Sequence, residues 1–271
     1  MSDIILSSGV RSNLLQLQQT SELITKTQTK LATGKRVNSA LDNPINFFTA
    51  QGLGVRANDL NSLLDTMTTG INTIQAANNG ITALTKLVQS AQSLVSQAQQ
   101  TTDTNVRATL AAQYDSLRNQ IDQLSADSGI NGINLLGGND LTITLNETGS
   151  STVVVTGYTD TSTGALAISA SANSWATSPD IAAAATELTA TLVTLRSQSQ
   201  ALSSNLQTVQ VRQDFTKAMI NTLNTGADGL TLADSNEEGA NLLALQTRQQ
   251  LSTTALSLAA QADQNVLRLF R

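Results

Sequence analysis

The C-terminal stretch DSNEEGANLLALQTRQQLSTTALSLAAQADQNVLRLFR, residues 234–271, decides how the rest of the chain is read. After Gly239 it contains neither glycine nor proline. Leu242, Leu245, Gln249, Ser252, Leu256, Ala259, Asp263, Val266 and Phe270 follow one another at alternating steps of three and four. That is the heptad rhythm of a helix packing on another helix. Ser235 and Glu238 have the spacing of a capping box at its start. Such a helix spans about 50 Å at ~1.5 Å per residue. So long an apolar seam requires a partner.

The other end of the chain supplies one. Val10, Leu14, Leu17, Ser21, Ile24, Gln28 and Leu31 step by four and three. Both termini therefore read as long amphipathic helices with a more compact region between them. By periodicity alone, two readings stay open: an intramolecular coiled coil, or contacts between copies.

The segment between repeats this helical character. The first helix is predicted from about Ser7 to Ala32, ending at Gly34 with Lys35 and Arg36 near its negative terminus. Asn38, Ser39, Asp42 and Asn43 are turn formers, and Pro44 suits a first helical position. Phe47 and Phe48 follow as apolar anchors of this elbow. A second helix is predicted over Val55 to Gln99, weakened at Gly70 and Gly80, and a third over Thr104 to Ala126. Glycine and asparagine from Ser128 to Gly138 mark tight turns. Leu141–Leu145, Thr152–Tyr158 and Ala165–Ser169 are strand candidates. Ser178, Pro179 and Asp180 open a further helix that is predicted to run to about Asn224, with a turn at Gly226–Leu232. The fold class is thus mainly α: an antiparallel helical bundle with coiled-coil arms from both termini and a small β-rich insert. Residues 1–44 and 234–271 are the arms, 45–138 and 178–233 the helical body, and 139–177 the insert. This order places the insert at the far end from both termini.

Composition narrows the function. The 271 residues include no His and no Cys. That removes the commonest general base and the thiolate chemistry of nucleophiles, disulfides and soft-metal sites. No catalytic, cofactor-binding or metal-binding constellation is read, and Glu237 with Glu238 is explained by a helix start. With a net charge of −5 and no basic block, nucleic acid is not expected as a partner. Lys and Arg are absent from Asn119 to Leu195. No apolar run reaches the ~20 residues of a membrane span, and no secretory signal is read at the start. Aromatics are 3% of the chain, so any single core is thin and the flanks suit coverage by neighbouring subunits.

Three segments resemble bacterial flagellin. Leu31-Ala-Thr-Gly-Lys-Arg-Val-Asn-Ser-Ala-Leu-Asp42 looks like the family's elbow. Ala259-Ala-Gln-Ala-Asp-Gln-Asn-Val-Leu-Arg-Leu-Phe-Arg271 is similar to its C-terminus, which adds Leu267 and Leu269 to the apolar set. Ser128-Gly-Ile-Asn-Gly-Ile-Asn-Leu-Leu136 looks like the turn after its third helix. Residues 43–48, NPINFF, are like alphaproteobacterial variants, and the middle has no counterpart.

The resemblance implies a structural subunit polymerising into the flagellar filament for swimming. The arms would form an inner tube, with Val10, Leu14, Leu17, Ile24, Leu31, Leu242, Leu245, Leu256, Ala259, Val266, Leu267, Leu269 and Phe270 as polymerisation contacts. Gly34, Lys35, Arg36, Asn38, Asp42, Pro44, Phe47 and Phe48 would form the joint between arm and shell. It also implies type III export without a cleaved signal, and an export chaperone, cap and hook-associated proteins as partners. The family's receptor-recognised arginines have no match in Leu84–Leu94, so weak or absent recognition by an animal innate receptor is expected. A hook–filament junction protein and a secreted adhesive module remain the alternatives. The arms are expected to be disordered in the free subunit, because fixing each residue costs ~1–2 kcal/mol of backbone freedom.

Overall fold

The computed structural model describes residues 8–269. It contains α1 (Ser8–Thr33), α2 (Pro44–Gln100), α3 (Thr104–Asp127), β1 (Leu141–Thr144), β2 (Thr152–Val155), a short 3₁₀ turn (Ala172–Trp175), α4 (Ser178–Thr231) and α5 (Ser235–Leu269). The chain divides into two compact units, residues 1–55 with 222–271 and residues 56–221. Among the described residues, no helix is long and apolar enough to cross a membrane.

In the first unit α1 packs along α5. On α5 Glu238 is buried, and Leu242, Leu245, Gln249, Ser252, Leu256 and Ala259 are half-buried. Every other residue between 240 and 260 is exposed. The heptad spacing of the sequence is therefore the contact seam. On α1 the seam keeps Val10, Leu17, Ile24 and Leu31, one residue per heptad. Its second position differs from the expected one. Asn13, Thr20 and Thr27 turn inward, while Leu14, Ser21 and Gln28 stay exposed. The inward step is three residues, as from a to d in a heptad. Buried Thr20 satisfies its hydroxyl by donating to the Gln16 carbonyl at 2.8 Å.

Both arm helices start and stop by local chemistry. Gly34, at φ 67°, ends α1 in the left-handed region that glycine enters without strain. Asp234, rather than the expected Ser235, caps α5: its Oδ1 accepts from the backbone N of Asn236 at 2.8 Å and of Glu237 at 3.3 Å. Glu238 is thereby released from the expected capping box and instead accepts from Lys30 Nζ at 2.7 Å.

Two helix boundaries move outward from the sequence reading. Helix α2 begins at Pro44 rather than near Val55. Asn43 Oδ1 accepts from the Asn46 backbone N at 3.0 Å, and proline fits the first turn. Helix α4 continues to Thr231, through the stretch read as a turn. Only Leu232 is extended there, bridged to Lys35.

The second unit holds the filled core. Met67, Ile74, Leu84 and Val88 of α2 are fully buried, as are Leu188, Leu195, Leu202 and Val209 of α4. Polar side chains keep the two helices in register: Ser199 Oγ donates to Asn78 Oδ1 at 2.8 Å, and Gln213 Nε2 to Thr68 Oγ1 at 2.9 Å. Gly70 and Gly80 look like weak points in the sequence, yet the fold requires them. A Cβ at Gly70 would run into Ile143, and one at Gly80 into Leu136 and Ser128. Ile143 of the insert and Leu136 of the turn before it sit in those notches.

Strands β1 and β2 pair antiparallel, Leu141 opposite Val155 and Thr144 opposite Thr152. The third expected strand, Ala165–Ser169, is not formed. Leu166 and Ile168 are buried in alternation, which is the pattern that suggested it. Ala167 at φ 47° interrupts the extended backbone. Side chains then take the place of a strand partner: Thr191 Oγ1 donates to Leu166 O and Arg118 Nε to Ile168 O, both at 2.9 Å.

Three carboxylates repeat one device along this segment. Asp122 accepts from Ser162, Asp115 from Ser171 and Glu187 from Ser169, each time from both the serine N–H and the hydroxyl. Asp115 and Asp122 are one heptad apart, so α3 presents them along one face. Arg107, also on α3, is buried, with no carboxylate partner among the described residues. Its guanidinium donates to Thr101 O at 2.8 Å, Ala98 O at 3.2 Å and Ala176 O at 3.4 Å, so a cation sits at the negative end of α2.

Candidate assembly surface

Among the described residues, no group of His, Cys, Asp and Glu could hold a metal ion; what stands out is uncovered apolar surface. On α5, Leu243 and Leu251 are each 67% exposed and Leu258 is 62% exposed. At about 100° per residue these three fall within ~80° of one another, on the side of α5 away from the seam. On α1, Leu14, Leu15 and Leu23 are exposed beside or behind the seam. At the elbow Leu41 is 96% and Ile45 78% exposed. Scattered single leucines need no explanation, but stripes and clusters of this kind mark interaction sites.

The sequence-derived contact residues divide accordingly. Val10, Leu17, Ile24, Leu31, Leu242, Leu245, Leu256 and Ala259 lie in the α1–α5 seam. Leu14 lies outside it and faces solvent. Val266, Leu267 and Leu269 continue α5, but their side chains lie outside the described residues, as does Phe270 altogether. Leu15, Leu23, Leu41, Ile45, Leu243, Leu251 and Leu258 are exposed as well and lie outside the sequence-derived set. For α5 a signal existed, since its leucines recur at steps of eight and seven on a second helical stripe.

At the elbow the structure ties the two connecting segments together. Arg36 N donates to Thr231 O at 2.8 Å and Ala233 N to Gly34 O at 3.0 Å. The Arg36 guanidinium reaches Gly229 O at 3.3 Å. Asp42 does not bridge to Lys35 or Arg36. Its Oδ2 accepts from the backbone N of Asn38 and Ser39, both at 3.0 Å. Those backbone donors favour the ionised form and hold its pKa below the usual carboxylate value. Asn38 Nδ2 closes the same turn on Lys35 O at 2.9 Å. Lys35 is exposed, and Pro44 stands in the first turn of α2. Phe47 and Phe48 meet edge to face at 5.5 Å, but only Phe47 is half-buried; Phe48 is 60% exposed. Phe48 therefore adds to the open patch of Leu41 and Ile45.

A helical subunit whose two chain ends pair along a thin seam, and which leaves leucine stripes uncovered on the outside of that pair, belongs to the class of self-assembling structural proteins. Comparison with known proteins gives the family. The profile described as the bacterial flagellin N-terminal helical region matches residues 7–140, and that of the bacterial flagellin C-terminal helical region matches residues 212–270. Flagellin FljM of Caulobacter vibrioides is 30% identical over 280 residues, covering 100% of this chain and 99% of its own. Flagellin FljN of the same organism is 32% identical over 279 residues, with the same coverage. Flagellin A of Rhizobium meliloti is 40% identical over 80 residues, 30% of this chain and 20% of its own. The chain belongs to the bacterial flagellin family, whose members are structural subunits of the flagellar filament.

Proposed function

We propose that this chain polymerises into the flagellar filament through the outward faces of its two arms and the apolar elbow. The observation that carries the proposal is the leucine stripe of α5, uncovered on the side opposite α1. Burying it against other copies gains about 25 cal/mol per Å² of apolar surface. Contact that repeats head to tail without closing yields an open filament rather than a ring.

In this reading residues 1–44 and 234–271 line an inner tube, 45–138 and 178–233 surround it, and 139–177 face outward. Lys35, Arg36, Asn38 and Asp42 with Gly34 form the joint, Phe47 and Phe48 its apolar flank, and Pro44 the start of the next helix. The work is mechanical, without catalysis or cofactor. Type III export without a cleaved signal, with an export chaperone, cap and hook-associated proteins as partners, is part of the same proposal. So is weak or absent signalling through an animal innate receptor. Family membership supports the export route and its partners, the lack of arginine in Leu84–Leu94 supports the receptor expectation, and the full-length relatives carry the flagellin name rather than that of a junction protein or an adhesin.

The test is polymerisation of the purified chain, followed by light scattering and electron microscopy. Filaments from the full chain, and none from a chain lacking residues 266–271, are expected. Normal filaments from the truncated chain would refute the role given to the arms.

A further inference from the structure

Among the described residues, the second unit contains a buried carboxyl, Asp160, paired with a buried amide, Gln198. Asp160 is completely buried, and Gln198 of α4 is 5% exposed. Gln198 Nε2 donates to Asp160 Oδ1 at 2.8 Å. The two remaining oxygens of this pair, Asp160 Oδ2 and Gln198 Oε1, have no hydrogen-bond partner among the described residues. Two orphaned buried acceptors on two side chains that already touch are an anomaly, since buried polar atoms are nearly always satisfied.

An ionised carboxylate has no hydrogen to offer, and the amide has donors on its nitrogen alone. Reversing the amide does not help, because its oxygen would still face a carboxylate without a donor. A single proton on Asp160 Oδ2 would supply the missing donor, offered to Oε1 of the amide whose nitrogen already holds Oδ1. The pair then closes as a ring, N–H to Oδ1 on one side and O–H to Oε1 on the other.

We propose that Asp160 is held as the neutral acid and, paired at two points with Gln198, forms a proton-dependent latch that fastens the segment 157–175 to α4. Ionisation removes the O–H donor and sets a buried charge against the Gln198 carbonyl, so the latch loosens as pH rises. The inference stands apart from the assembly reading, because both residues lie inside residues 56–221.

The surroundings agree. Burial pushes the Asp160 carboxyl up to about 6, opposed only by the Gln198 hydrogen bond. The other ionisable groups on neighbouring elements are engaged elsewhere or exposed. On α3, Asp115 and Asp122 hold Ser171 and Ser162, and Arg118 reaches Ile168 O. On α4, Glu187 holds Ser169 and Arg196 is exposed. Asp140 accepts from Gly157 N, and on α2 Lys86 is exposed. Tyr158, on the same segment, is pushed up by burial and then by Asp160.

The folded value lies above the ordinary one of 3.8, so the latch's contribution is full below about 4, is lost as pH climbs to about 6 and is absent above that.

Asp160→Asn tests this in the full-length chain. Asparagine supplies a permanent N–H where the acid has its O–H, and so keeps the ring at every pH. Thermal melts at pH ~4 and pH ~8 separate the outcomes, with all other carboxylates common to both proteins. We expect the variant to match the wild type in acid and to melt several degrees higher at the alkaline end. That corresponds to a folding equilibrium shifted by up to about a hundredfold, tenfold for each of the roughly two pH units between the values. Equal melting at both pH values, or a variant destabilised equally at both, would overturn the latch. Should the variant not fold, the infrared band of a protonated carboxyl decides the matter in wild-type protein. Its persistence at pH ~5, where an ordinary Asp is ionised, is expected, and its absence there overturns the proposal.

Discussion

Residues 56–221 and the paired arms are both helical, but they treat their apolar side chains in opposite ways. The larger unit buries Trp175, Tyr114, Met67 and a column of Leu and Ile completely, and ties its irregular segment down with carboxylate–serine clamps. The arms place leucines that are only half-buried in their seam, bury Thr20 and Thr27, and leave Leu15, Leu243, Leu251 and Leu258 in solvent. Backbone ordering costs ~1–2 kcal/mol per residue in either place. In the larger unit the chain itself offsets that cost. In the proposed reading the arms fall short of it, and other copies supply the difference.

The comparison breaks most sharply if the outward stripe is unimportant. Replacing Leu243, Leu251 and Leu258 together by serine is expected to abolish filament formation in sedimentation and electron microscopy. Near-ultraviolet circular dichroism of Tyr114 and Trp175, whose tilted rings lie 5.0 Å apart inside the larger unit, is expected to stay unchanged. Loss of that signal along with assembly would mean the two regions do not stand apart.

A matched pair of core deletions sharpens it. Leu188→Ala empties a fully buried site and is expected to cost about 2–5 kcal/mol in chemical denaturation of the subunit. Leu245→Ala removes a half-buried seam residue and is expected to leave that transition unchanged while raising the concentration needed for assembly. Equal destabilisation of the subunit by both would contradict the contrast. The smallest effect is expected at Lys30→Ala. Its partner Glu238 is mostly covered, but Lys30 is 35% exposed, so the pair is worth ~0–1 kcal/mol after solvent screening.

Much of this was visible in the residues. The heptads of α5, Gly34 and Pro44 act locally, and local rules locate them; the cap of α5 falls one residue earlier than expected, on Asp234. What escaped depended on distant chain. Leu14 and Thr20 could not be ordered by polarity, because a seam takes whichever residue its geometry turns inward. Gly70 and Gly80 read as defects, since nothing near them in sequence announces Ile143 and Leu136. The segment at Ala165–Ser169 alternates like a strand, but its hydrogen-bond partners are backbone carbonyls of residues 159–164 and side chains of α3 and α4 rather than a neighbouring strand. The Asp160–Gln198 pair spans 38 residues and carries no motif. The proposed assembly surface was only half legible, because the heptad stripe of α5 is its seam and the exposed leucines lie on a second stripe.

Hydrogen–deuterium exchange of the full chain, as dissociated subunit and as polymer, tests the central claim directly. Backbone amides of α1 and α5 should exchange rapidly in the subunit and become strongly protected in the polymer, while the buried stretches of α2 and α4 in residues 56–221 remain protected in both. Strong protection of α1 and α5 in the dissociated subunit, unchanged on assembly, would show that the arms are already satisfied within one chain and would contradict the account.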